Sequence, residues 1–241
     1  MKVSFLLGAL FFLVEFLGAQ EEVAENKVLW INLDYGILWP QADLRDRFGQ
    51  SFSVGGGASY LSDDGLFLSI DYSLLFGNTV KEDVLSNLRT FEGGIIGRDR
   101  QFAEIFLRER GHMVVVEAGY FLGSKTMFHR SNLLLSAGVG WLQHKIRIVD
   151  DFDAVIQVAP PYDRGYDRLS TGVLLNQSVR YLYLSKSRLI NFFFDVSLTE
   201  AFTKDRRQLN YNTAERPSDN RLDILMGAKF GWIIPIYLDH Q

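Results

Sequence analysis

The stretch Ile190-Asn-Phe-Phe-Phe-Asp-Val-Ser-Leu198 alternates with a period of two. Ile190, Phe192, Phe194, Val196 and Leu198 share one face, and Asn191, Phe193, Asp195 and Ser197 share the other. Read as a strand, it has one wholly apolar side and one largely polar side with a carboxylate near its middle. In a water-soluble sheet the apolar side would meet a core. Here the pattern recurs along most of the chain, with long polar segments between repeats and a secretory leader in front. That combination predicts apolar faces turned to hydrocarbon and polar faces turned to one another inside a closed barrel.

Eight such segments follow from the alternation, at about 27–38, 51–61, 66–76, 112–122, 132–148, 169–184, 190–198 and 221–238. The connections alternate between long segments (41–49, 77–111, 149–167, 203–220) and short turns (62–65, 123–131, 185–187). An even strand number with long loops at one end and short turns at the other is the pattern of an outer-membrane barrel, with both termini on the periplasmic side. Within 77–111, residues 80–88 read as a short helix and 101–110 as an extension of the next strand beyond the membrane. Gln177 breaks the outer pattern of its strand.

The 241 residues suffice for one all-β domain. Residues 1–19 read as a cleaved signal peptide: Lys2, an apolar run to Leu17 shorter than a spanning helix needs, then small residues ending at Ala19. Residues 20–241 are then the barrel domain. With no cysteine, disulfide scaffolds, thiol chemistry and lipid-anchored lipoproteins are excluded. A formal charge of −4 gives no case for nucleic-acid binding.

On the predicted inner face, Asp34, Asp71, Glu117 and Asp195 oppose Arg180 and Lys229, with His144 nearer the rim. A barrel of eight strands has room for side chains and little else, and buried charges must pair. These groups are expected to form a polar network that plugs the lumen, with Arg180 near two carboxylates. Gly55, Gly57, Gly138 and Gly140 are expected to make space for Trp30, Phe67 and Phe193.

Chemistry beyond this network is sparse. His112, His129, His144 and His240 are scattered, so no metal site or cofactor is expected. His129 precedes Ser131 in a predicted turn without an acid, and His144 with Asp150-Asp151 imitates a rim protease that needs more strands. No catalytic residue is assigned. Gly55-Gly-Gly57 lacks the Lys-Ser/Thr of a phosphate loop. Arginine recurs beside aspartate in the long connections, and Arg45, Arg47, Arg98, Arg100, Arg164, Arg168, Arg206 and Arg207 are candidates for docking a partner or touching lipopolysaccharide phosphates. The competing reading is salt bridges that order the loops into a cap.

Over 27–238 the chain resembles the small eight-stranded outer-membrane barrels of the OmpA/OmpX type. Gly227-Ala-Lys-Phe-Gly-Trp-Ile-Ile-Pro-Ile-Tyr237 looks like the aromatic last strand that the barrel-assembly machinery reads in that class. It departs from the usual form at Pro235 and in the continuation Leu238-Asp-His-Gln241. The chain is also similar to small Bacteroidota barrels, some of which belong to secretion or assembly complexes. The resemblance implies a non-enzymatic structural or accessory outer-membrane protein, with an envelope protein partner in the case of a complex subunit. The alternatives are a narrow pore for ions or small solutes, and a lipid-modifying enzyme.

Overall fold

A computed structural model of the chain describes residues 28–62, 64–122, 132–184, 191–217 and 220–237. Its strands are β1 (Val28–Ala42), β2 (Ser51–Leu61), β3 (Leu66–Gly77), β4 (Ile95–Ile96), β5 (Phe102–Ala103), β6 (Phe106–Leu122), β7 (Asn132–Val149), β8 (Ser170–Leu184), β9 (Asn191–Asp205) and β10 (Asn220–Tyr237). Eight of them close a ring in the order β1-β2-β3-β6-β7-β8-β9-β10, every pair antiparallel. β4 and β5 form a small ladder in the longest connection. Residues 1–27, with the expected signal peptide, and 123–131, 185–190 and 238–241, with the expected turns at 123–131 and 185–187, His129, Ile190 and His240, lie outside the described residues.

Following ladder partners around the ring from Asn32 passes Gly57, Asp71, Val115, Gly140, Leu174, Ala201 and Asp223. The path returns to β1 ten residues higher, at Ala42. A stagger of this size tilts the strands and leaves an interior that side chains fill.

The alternation holds in the folded barrel. On β9, Phe194 and Val196 point out and are about half exposed, while Phe193 and Asp195 are buried. Leu33, Ile70, Val139, Val173, Phe230 and Ile234 are likewise exposed on the outer wall. So continuous an apolar belt is a surface for hydrocarbon, not water.

Several bounds differ from the sequence reading. β1 runs on to Ala42 and β9 to Asp205, while β6 starts at Phe106, inside the 101–110 segment expected to extend it. The hydrogen-bond ladder persists above the belt, where outward residues turn polar and the hydropathy alternation stops. Residues 80–88 hold only a 3-10 turn, Ser86–Leu88. The glycines also serve a different purpose than expected. A Cβ on Gly57 would collide with the Asp71 carboxylate, and one on Gly138 would meet the Glu117 side chain at 2.8 Å. Space for Phe193 comes instead from Gly231, where a Cβ would run into its ring.

Candidate functional site

The interior is stacked in layers set by the inward residues of each strand. At the turn end Val28, Trp30, Leu61, Phe67, Leu134, Leu182, Phe193 and Ile233 form an apolar floor. Above it lies the charged layer. Higher still, Leu38, Leu75, Met113, Leu142, Leu174 and Leu225 close the lumen again and merge with the core of the loop cap through Phe48.

In the charged layer Arg180 is 4% exposed. Its Nε donates to Asp195 Oδ2 at 3.0 Å, and its Nη2 lies 3.9 Å from Glu117 Oε2. The guanidinium also sits over the Phe193 and Phe67 rings, 4.5 and 5.5 Å from their centroids. Glu117 accepts from Ser136 at 3.2 Å and from Asn176. On the opposite wall Asn32 bridges Asp34 and Asp71 at 3.4 and 3.3 Å. Lys229 reaches Ser73 Oγ at 3.3 Å and, among the described residues, makes no ion pair. So the structure brings Arg180, Asp195 and Glu117 into one cluster and Asp34 and Asp71 into another.

A second polar layer lies at the loop end. His144 Nε2 and Asp223 Oδ2 are 2.9 Å apart, both groups buried, and Thr203 also donates to Asp223. Among the described residues nothing bonds His144 Nδ1. Glu109 turns inward and accepts from Ser51. Asp150, the other half of the rim-protease idea, caps the amides of Ala154 and Val155.

The cap is tied down through Glu82. It accepts from Arg47 Nε at 2.8 Å and from Arg168 Nε at 2.6 Å. Arg47 reaches on to Ser170 Oγ at 3.0 Å and to the Arg168 carbonyl at 3.2 Å. Burial pushes the Glu82 carboxyl up, but the two guanidiniums outweigh it and hold the group below the usual glutamate value. Burial likewise pushes Arg47 down, and Glu82 opposes that. Beside them opens a cleft of about 740 Å³ lined by acids and bases together, among them Asp43, Glu82, Arg168, Glu215 and Arg221.

This geometry corrects the loop-arginine expectation. Arg47 and Arg168 are each 4% exposed and are structural. Arg207 is spent on Asp167, Arg98 donates to the Asp153 carbonyl, and Arg206 donates to Thr171. Of the eight candidates, Arg45, Arg100 and Arg164 stand exposed with side chains unengaged among the described residues. Sequence reasoning also missed four cations, Arg108, Arg110, Lys145 and Arg147, which the extended β6 and β7 place on the outer wall. Their shared parity with His112 and Trp141 was the signal available.

No protein-family profile matches the chain, and no curated protein does. Among solved structures it is similar to neisserial surface protein A, at 11% identity over 86% of this chain and 96% of that one, with a TM-score of 0.46. It is similar to the N-terminal β-barrel domain of Pseudomonas aeruginosa OprF at 14% identity over 87% and 99%, with a TM-score of 0.41. A major outer membrane protein from Thermus thermophilus aligns at 8% identity over 85% and 98%, with a TM-score of 0.47.

Proposed function

We propose that the protein is a non-enzymatic structural or accessory barrel of a Gram-negative outer membrane, inserted by the barrel-assembly machinery after leader cleavage near Ala19. The observation that carries this is the sealed lumen. Apolar layers lie above and below the Arg180 cluster, so the interior is a core and not a path. The apolar belt, the long connections at one end and the leader support the location. A barrel whose interior only holds it together works through its surface, as one subunit of an envelope assembly. The exposed Arg45, Arg100 and Arg164 belong to that surface.

Planar-bilayer recording of the full chain tests the seal. No unitary conductance is expected. Sustained steps that change with Arg180→Met would establish a pore and end this reading. Purification in mild detergent is expected to recover a stoichiometric envelope protein, and repeated recovery of the chain alone would remove the subunit role.

A further inference from the structure

The outward face of the β6–β7 hairpin changes character abruptly. From the turn end upward its cross-strand outward pairs are Leu122/Leu133, Tyr120/Leu135, Ala118/Ala137, Val116/Val139 and Val114/Trp141. They span residues 114–122 of β6, matching the roughly 9–11 residues a tilted strand needs to cross a bilayer. The next pair is His112/Gln143, with His112 Nδ1 held 2.7 Å from Tyr72 Oη. Tyr72 and His112, with Trp141 alongside, mark the boundary where amphipathic rings meet headgroups. The two pairs above are Arg110/Lys145 and Arg108/Arg147.

Four cations thus stand as two directly opposed like-charge pairs, an arrangement that weakens a strand ladder by itself. Among the described residues none of them has a carboxylate within ion-pair distance. Among the described residues Arg110 donates to the Glu109 carbonyl alone, at 2.6 Å. The acidic side chains nearest in sequence do not neutralise them: Glu109 is turned inward to Ser51, Asp150 is occupied by backbone amides, and Glu104 and Asp151 are exposed. Arg47, Arg168 and Arg207 under the cap, by contrast, have acids of their own.

We propose that Arg108, Arg110, Lys145 and Arg147 form a binding site for the phosphate groups of outer-leaflet lipopolysaccharide. The missing counter-charge comes from outside the protein, at the height where lipid phosphates lie. The planar fork of arginine accepts a phosphate in two-pronged fashion, and lysine adds a point charge. The site rests on the outer-membrane reading above.

The test uses the full chain in phosphatidylcholine nanodiscs carrying one of three probes: lipid A with both phosphates, the same lipid dephosphorylated, or phosphatidylglycerol at equal charge. Retention per barrel is read by native mass spectrometry. The phosphorylated lipid A is expected to be retained at least tenfold over the other two, with R108Q/R110Q/K145Q/R147Q removing that preference and R98Q/R100Q/R164Q in the cap leaving it intact. Retention unchanged in the fourfold variant, or equal for all three probes, overturns the site, as does full displacement by millimolar inorganic phosphate. Heat-modifiable gel mobility verifies folding. Should the fourfold variant not fold, R110Q/K145Q and R108Q/R147Q are compared separately, each expected to lower retention about threefold, and no loss in either overturns the site. A chain that stays soluble without detergent would instead defeat the membrane reading, a failure visible before any lipid is added.

Discussion

Arginine stands in two opposite settings in this molecule. Inside the wall and under the cap, Arg180, Arg47 and Arg168 are each 4% exposed, and each has a carboxylate within 3.0 Å. Outside the wall, Arg108, Arg110 and Arg147 stand beside other cations with no acid paired to them among the described residues. The same side chain is a fastener in one place and an unmet demand in the other. What separates them is burial, set by strand parity for Arg180 and by packing under the cap for Arg47 and Arg168: inward groups must satisfy their charge within the protein, because burial without a partner is costly. Outward positions above the belt can leave it to the surroundings.

The largest effect is expected from Arg180→Met, which leaves Asp195 and Glu117 buried without their cation. Breaking a buried pair by removing one partner costs about 3–5 kcal/mol. A urea midpoint for the folded barrel in detergent should fall accordingly, and an unchanged midpoint would show that the inner cluster contributes nothing. Next comes Phe194→Arg on the outer face of β9, expected to cost about 2–4 kcal/mol through a charge facing mid-bilayer hydrocarbon. Insertion into lipid vesicles should fail for Phe194→Arg and proceed for Ser197→Arg, whose side chain faces inward; equal insertion would contradict the parity on which the comparison rests.

Glu82→Gln is expected to cost about 2 kcal/mol, less than a fully buried pair because the carboxylate is partly exposed. Loosening should be confined to the cap and show up as faster proteolysis of residues 77–105 and 150–169. Acid should imitate the substitution. The folded Glu82 value lies below the ordinary 4.5, so its stabilisation is complete above that value and is lost as pH falls through the folded one. A cap whose proteolysis rate stays flat from pH 6 to pH 3 would remove Glu82 from its anchoring role. The smallest effect has the opposite sign. In detergent free of anionic lipid, Arg110→Gln should stabilise by up to about 0.5 kcal/mol by relieving repulsion from Lys145 and its neighbours. A loss of more than that would mean Arg110 has an internal partner.

The strand faces were legible because lipid and lumen impose opposite chemistry on alternate residues, as Phe194 beside Asp195 shows. The charged layer was legible as a set of residue types, since a carboxylate in an alternating strand has only the lumen to face. Its division into an Arg180 cluster and an Asp34–Asp71 wall depends on ring closure and register, which no single segment encodes. The cap was not legible. Its core takes two or three apolar residues from each of three long connections, Leu44 and Phe48, then Val84, Leu85 and Ile95, then Val155, Val158 and Tyr166, and such contributions have no period. The wall cations were hidden by the reverse effect: Arg108-Glu-Arg110 looks like a charged loop until Glu109 is seen to turn inward and both arginines outward.

Arg180 and Asp195 face each other directly across the β8–β9 hairpin. Two strands separated by only six residues of chain meet early, since little chain entropy is lost in bringing them together. If the seam between β1 and β10 closes last, the ring shuts around a charge already neutralised by its sequence neighbour. The most expensive group in the lumen is thereby accounted for within one local unit before water is driven out.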